Sequence, residues 1–319
     1  MLTAPSVWTV MIALLGTHLA GMGVFLTVPV LAPAIAAELG IAASLAGVHT
    51  ALVYLGAMVS GPLAGAFIHR FGGIRVLQVG MLISAFGIAL AMLGHPAALF
   101  ASAVIAGLGH GPVTPAGSHL LAARTPARRR GLIFSLKQCG VPAGAMLIAA
   151  AVPPIAVAAG WRQGVLTVVI FLSISALCLQ PLRAALDAER DPKAAIRGLG
   201  QIWGAAASSL GLLRQFPVLR RMTIMSALYG VSQFCFSSFF VVFQVASLGA
   251  SLTEAGLRLA FAQAAGVGWQ GGCFGAWWRT APAPRRSLPG LALARRWPVW
   301  RYCWPGRIGR ALSSSWPAC

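Results

Sequence analysis

The chain has 319 residues, 58% of them hydrophobic and 9% charged, with a mean hydropathy of +0.81. Soluble domains carry about 25% charged residues, so this composition excludes a water-soluble globule and points to an all-α polytopic membrane protein. The net charge of +19 does not imply a nucleic-acid partner, because the 24 basic residues sit mainly in loops and in one terminal segment, where topology-setting charge accounts for them.

A hydrocarbon core of about 30 Å needs roughly 20 apolar residues per helix. The first apolar run, 7–34, has no positively charged segment before it and is too long for a signal peptide, so it reads as a first spanning helix. Pro29 and Pro33 are expected to kink its outer end, and Glu38 to lie in the loop beyond. Further helices are predicted over 45–68, 74–93, 98–122, 132–157 and 165–182, the fifth interrupted by Pro142 and by Pro153-Pro154. A polar, amphipathic segment, 183–221, follows, with three of the five acids and seven basic residues. A seventh helix is predicted over 222–248 and an eighth from 253.

Lys and Arg resist translocation. Arg70 and Arg75 follow the second helix, five basic residues from Arg124 to Lys137 follow the fourth, and seven follow the sixth, against Arg162 alone in the alternate loops. The N-terminus is therefore predicted to be cytoplasmic. Of the six cysteines, Cys139, Cys178 and Cys235 lie in apolar runs and read as small core residues, while Cys273, Cys303 and Cys319 show no metal-ligand spacing. Neither a disulfide nor a metal site is expected.

The turn between the second and third helices reads Gly65-x-x-x-His69-Arg70-Phe71-Gly72-Gly73-Ile74-Arg75. Gly61 and Gly65, four apart, suggest a face that a neighbouring backbone approaches closely, and Gly72-Gly73 permits a tight turn. The run resembles the loop between helices 2 and 3 of the major facilitator superfamily, Gly-x-x-x-Asp-Arg-x-Gly-Arg-Arg-Arg. Gly65, Arg70, Gly72 and Arg75 match, His69 replaces the acid, and Gly73 and Ile74 replace two basic residues. Gly107-Leu-Gly-His110-Gly-Pro112 and Lys137-Gln138-Cys-Gly140-Val-Pro142-Ala-Gly144 also resemble bacterial members, the cyanate-permease-like group being the nearest. Gly140, Pro142 and Gly144 fit the antiporter pattern of helix 5 only loosely, so antiport does not follow.

The resemblance covers about 7–267 and implies two six-helix halves joined by a central linker, with substrate bound between them. It divides this chain into a six-helix half (1–182), a cytoplasmic linker (183–221), a partial second half (222–278) and a tail (279–319). It also implies a bacterial inner-membrane location and a loop, Gly65 to Arg75, that latches onto the facing half; His69 puts that latch in doubt. From Trp269 onward the composition changes: 51 residues hold seven of the ten Trp and eight Arg, with no Asp, Glu or Lys. Such a mixture is what GC-rich DNA yields out of frame. A frameshift near residue 268 that removes helices 9 to 12 is one expectation, which sequencing across that codon tests. A natural basic, aromatic tail lying on anionic lipid is the other.

Ionisable groups at membrane depth are functional candidates. No Asp or Glu falls in the middle of a predicted helix; Glu254 lies near an end of the eighth, where Arg258 one turn on can pair with it. His18 and His110 are the deepest titratable groups and can hydrogen-bond a solute or exchange a proton, so a proton is a candidate coupling partner; a bond to a neighbouring helix is the plain alternative. His49, His95 and His119 read as interfacial. Lys137 either faces a central cavity and attracts an anion or snorkels back beside Arg130, with Gln138 a neutral candidate beside it. Tyr229 and Gln233, four apart, share a face that Ser237 continues.

No phosphate loop, nucleophile elbow or zinc-protease pair occurs, so no enzyme activity and no cofactor are expected. The reading is a secondary transporter of a small solute, leaning toward an anion and impaired by loss of helices 9 to 12. A non-transporting membrane scaffold or subunit that needs a partner is the alternative.

Overall fold

The computed structural model describes residues 5–194 and 199–270, all within one structural unit, Met1–Ala276. The expected tail, 279–319, lies outside the described residues, as does the end of the partial second half. Among the described residues there is no strand, and seven helices are long and apolar enough to cross a membrane. They are α1 (Val7–Leu39), α2 (Leu45–Phe71), α3 (Gly73–Leu93), α4 (Pro96–Arg124), α5 (Ala127–Ala159), α6 (Trp161–Leu186) and α8 (Pro217–Leu248). The helix α7 (Leu199–Gln215) precedes α8, and α9 (Leu252–Gln270) follows it. The eighth predicted crossing, α9, is not one of the seven, because Glu254, Arg258 and Gln263 interrupt a run of small residues.

The most buried of the spanning helices is α1. Ser6 caps its start by accepting from the Thr9 N–H at 3.1 Å, which satisfies one of the orphan donors of the first turn. The helix continues through Pro29 and Pro33 to Leu39. Each proline forfeits one backbone donor, yet Pro29 is buried and Pro33 half-buried among neighbours that hold the helix in register. Glu38 is therefore helical rather than in a loop. Its carboxylate accepts from Arg162 Nη1 and from Trp161 Nε1, both at 2.6 Å. Arg162 Nε donates to Met92 O at 3.0 Å, and the guanidinium stacks 4.4 Å from the Trp161 ring centroid. One arginine thus ties together the ends of α1, α3 and α6.

Small residues let the helices approach closely, as membrane packing requires. A Cβ on Gly56 would sit 2.5 Å from Val104 O, and one on Gly111 would sit 2.5 Å from Ala57 O, so α2 and α4 touch backbone to backbone. Gly80 and Gly109 do the same between α3 and α4. The face expected at Gly61 and Gly65 is not such a contact: among the described residues nothing lies within 4 Å of a Gly65 Cβ, and Gly61 meets Gly111 O only at 3.8 Å. The close approach starts one turn earlier, at Gly56.

Four spanning helices are broken: α2, α4, α5 and, near its end, α6, where a 3-10 turn, Gln180–Leu182, holds Pro181. In α2 a 3-10 turn, Gly61–Leu63, holds Pro62. In α4 the α-helices Pro96–His110 and Val113–Arg124 are separated by Gly111-Pro112. In α5 the break falls at Cys139, between Arg130–Gln138 and Gly140–Ala159, whereas Pro153-Pro154 sit inside the second helix without interrupting it. Of the cysteines, Cys139 is half-buried while Cys178 and Cys235 are exposed on α6 and α8 rather than in the core. His49, expected at the interface, is buried between α2 and α4 with Nε2 3.3 Å from Ser102 Oγ. His95 caps α4 by accepting from the Ala97 N–H at 3.2 Å, and His119 is exposed.

Candidate functional site

At the turn between α2 and α3, Gly72 adopts φ +93° and ψ 153°, a region only glycine enters readily. A Cβ there would collide with the carboxyl group of Asp187. That carboxylate, 1% exposed, accepts from the Ile74 N–H at 2.8 Å and the Arg75 N–H at 3.1 Å. It therefore caps the positive end of α3. The next residues continue the contact: the Asp191 N–H donates to His69 O at 3.0 Å, and Arg70 Nη1 donates to Ala194 O at 3.2 Å. Arg75 reaches Gln78 at 3.4 Å, and Gln78 donates to Ala176 O and Gln180 Oε1 on α6. Among the described residues, the loop from Gly65 to Arg75 is thus bonded to the segment after α6. The acid absent at His69 has a counterpart in Asp187, which sequence spacing did not reveal because it lies more than a hundred residues away.

A cavity of about 410 Å³ lies between the first six helices and α8, within the range of small-molecule sites. From α1 it is lined by Thr17, His18, Gly21 and Phe25, from α2 by Thr50 and Tyr54, and from α4 by His110, Gly111 and Thr114. Gln138 and Val141 of α5 flank that helix's break, and Gln233, Phe234, Ser237 and Ser238 come from α8. Two of these helix breaks, in α4 and α5, thus meet the cavity wall, where unpaired backbone at membrane depth can be tolerated.

The cavity is closed at one end and open at the other. At the closed end Ser238 Oγ donates to Thr50 Oγ1 at 3.0 Å, and Thr50 donates to Ala46 O. Next to it the Tyr54 ring is sandwiched between Phe25 at 4.7 Å and Phe234 at 4.1 Å, and His110 meets Phe25 edge-on at 4.8 Å. Toward the loops that carry Arg124 to Arg130, Thr114 and Gln138 are exposed, and so is nearly all of the first half of α8.

The structure brings together four of the six cavity candidates: His18, His110, Gln138 and Gln233. The His18 ring is fixed by an Nδ1 contact of 2.9 Å to Leu14 O, which leaves Nε2 for the cavity side. Lys137 neither lines the cavity nor snorkels to the loop. Its ammonium is buried, donates to Ser118 Oγ at 2.9 Å and lies 5.6 Å from the Phe134 ring centroid. Tyr229 is 55% exposed and outside the lining, one turn short of the cavity on α8. Arg258 turns from Glu254 to Gln244 Oε1 at 2.6 Å, and Glu254 instead accepts from the Ser251 N–H and hydroxyl. Sequence reasoning missed Tyr54, Thr50 and Phe25. The signal was the helical spacing of His18 with Phe25 and of Thr50 with Tyr54, which marks one face of each helix.

Comparisons with known proteins agree with this architecture. The multidrug resistance protein MdtH of Yersinia enterocolitica is 33% identical over 135 residues, 42% of this chain and 34% of the relative. MdtH of Klebsiella pneumoniae is 30% identical over 127 residues, 40% of this chain and 32% of the relative. The matched region spans about a third of the length of these curated relatives. They speak for the superfamily and not for its cyanate-permease-like group. Among solved structures, a D-xylose-proton symporter shares the fold with TM-score 0.59 and 21% identity, over 82% of this chain and 66% of that one. A peptide transporter POT mutant in complex with sulfate gives TM-score 0.50 and 21% identity, over 74% and 49%. The Major Facilitator Superfamily profile matches residues 13–294. It runs past residue 267, where the sequence reading ended the resemblance. With most of its length matched, the chain belongs to the Major Facilitator Superfamily.

Proposed function

We propose that this chain binds a small solute in the cavity between its first six helices and α8, as one state of an alternating-access secondary transporter. Membership of the superfamily makes it a multi-pass transporter-family protein and not an enzyme. The observation that carries the proposal is a 410 Å³ cavity at mid-depth, lined by His18, His110, Gln138 and Gln233 and sealed at one end by Thr50–Ser238. In this reading residues 1–182 form one half, 183–221 the linker and 222–278 the start of the facing half. His18 and His110 are the groups able to carry a coupled proton.

The location proposed is the bacterial inner membrane with a cytoplasmic N-terminus, supported by the excess of Lys and Arg in the loops after α2, α4 and α6. The open end of the cavity then faces the cytoplasm. The lean toward an anion rested on Lys137, and its bond to Ser118 outside the lining leaves that lean without a side chain in the cavity. Facing the earlier helices, the described lining comes from α8, through Gln233, Phe234, Ser237 and Ser238.

Orientation is tested by placing single cysteines at Thr114 and Leu248 in a cysteine-free background. A charged, membrane-impermeant maleimide reaches Thr114→Cys from the cytoplasmic side if the proposal holds; labelling of Thr114→Cys by that reagent from the outer side only overturns it. A second reading, a membrane subunit that needs a partner, draws on α8, the least buried of the seven spanning helices. A membrane protein that copurifies at fixed stoichiometry would favour it.

A further inference from the structure

Building on the solute-binding reading above, we infer that the cavity takes an uncharged, ring-shaped solute bearing hydroxyl or amide groups, rather than an ion. Its described lining contains no Asp, Glu, Lys or Arg. The nearest candidate cation, Lys137, is bonded to Ser118 behind the wall. An ion that leaves water for such a surface finds no fixed counter-charge, which costs most where the site is deepest.

What the lining offers instead is unspent hydrogen-bonding capacity of both kinds. Tyr54, His110, Gln138 and Gln233 line the cavity, and none of their side chains makes a hydrogen bond to another described residue. The two glutamine amides each present donors and an acceptor, and the phenol and imidazole do the same on a smaller scale. Groups of this type discriminate strongly in favour of ligands that satisfy them. The same lining includes a stack of Phe25, Tyr54 and Phe234, an aromatic surface that suits the apolar face of a ring. The geometry fits a solute that is polar along one edge, apolar on one face and neutral overall.

Three probes compare charge on one ring size: nicotinamide, nicotinate and 1-methylnicotinamide share a six-membered aromatic ring and are neutral, anionic and cationic near neutral pH, the anion with a carboxylate in place of the amide and the cation with one added methyl. Binding of each, radiolabelled, is measured on the full chain in nanodiscs. An uncompensated ion at membrane depth is disfavoured by roughly 60- to 300-fold. The open mouth admits water and reduces this, so nicotinamide is expected to bind about tenfold more tightly than either ion. Gln138→Leu and Gln233→Leu should each weaken nicotinamide about five- to tenfold, and Lys137→Met should leave the order of the three probes unchanged.

Tightest binding by nicotinate, abolished in Lys137→Met, overturns the inference in favour of an anion. Tightest binding by 1-methylnicotinamide, abolished in Tyr54→Leu, overturns it in favour of a cation held by the rings. Both results leave the solute-binding reading standing. Nicotinamide binding that neither glutamine variant changes also overturns the inference. Absence of binding by all three probes, and by D-glucose and uridine, to a chain that elutes as one species and unfolds cooperatively, overturns the class and the cavity reading together.

Discussion

Replacing Asp187 by alanine removes the carboxylate that caps α3. Two backbone N–H groups lose their acceptor, at 2.8 Å for Ile74 and 3.1 Å for Arg75. Ile74 is fully buried, so its N–H is left without water and costs about 1–3 kcal/mol. Arg75 is half-buried, and water can reach its N–H, so its loss is closer to the ~1 kcal/mol typical of a helix cap. Together the loss is about 2–4 kcal/mol, which corresponds to a fall in Tm of roughly 5–15 °C for a domain of this size. Asp187→Asn keeps one acceptor and loses the charge, and should cost about 1 kcal/mol. The assay is thermal unfolding in detergent, followed by hydrogen exchange in the peptides that cover 73–77 and 187–194. Exchange should rise in both, because Asp191 and Ala194 hold the same loop through His69 O and Arg70. An alanine variant with unchanged Tm and unchanged exchange in both peptides refutes the cap.

Other predictions rest on separate contacts. Gly107→Ala drives a Cβ into the Val53 carbonyl of α2 and should destabilise by about 1–3 kcal/mol, as overpacking does. Gly65→Ala, with open space around it among the described residues, should change stability by no more than about 0.5 kcal/mol; equal losses of Tm in the two variants would refute this packing. Glu38→Gln should cost at most about 1 kcal/mol, because the Glu38 and Arg162 side chains are 44% and 41% exposed. A loss several times larger, measured by the same melts, would mean that the cluster holds the outer ends more firmly than its exposure implies. Lys137→Met removes a buried charge whose ammonium donates to Ser118 Oγ, and should be neutral or stabilising. A fall in Tm would show that the ammonium is needed.

Much of the fold was legible because membrane helices announce themselves by length and hydropathy. The expected ends at 45 and 248 recur in α2 and α8. The extension of α1 to Leu39 was hidden because Pro29, Pro33 and Glu38 all read as terminators, and only packing and the Arg162 contact explain why the helix persists. Legibility was lower in the cavity. His18 and His110 stood out because a histidine is conspicuous among apolar residues. Thr50 and Tyr54 did not, since hydroxyls at membrane depth are common and usually bond their own helix, as Thr17 and Thr27 do. Lys137 pointed the wrong way because its partner, Ser118, is set by how α4 and α5 cross, which no local pattern encodes. Asp187 was counted only as linker charge, and its capping of α3 depends on a contact between distant segments.

The account's central claim is a cavity closed by α2 and α8 and open at the other end, and a cysteine pair tests it most directly. In a cysteine-free background, Thr50→Cys and Ser238→Cys replace hydroxyls 3.0 Å apart, and Thr114→Cys reports on the open end. The prediction is rapid disulfide formation between positions 50 and 238 in native membranes, with Thr114→Cys still labelled by N-ethylmaleimide in the crosslinked protein. Failure of the pair to crosslink, or loss of Thr114→Cys labelling once it has, would contradict the arrangement of α8 against the first six helices.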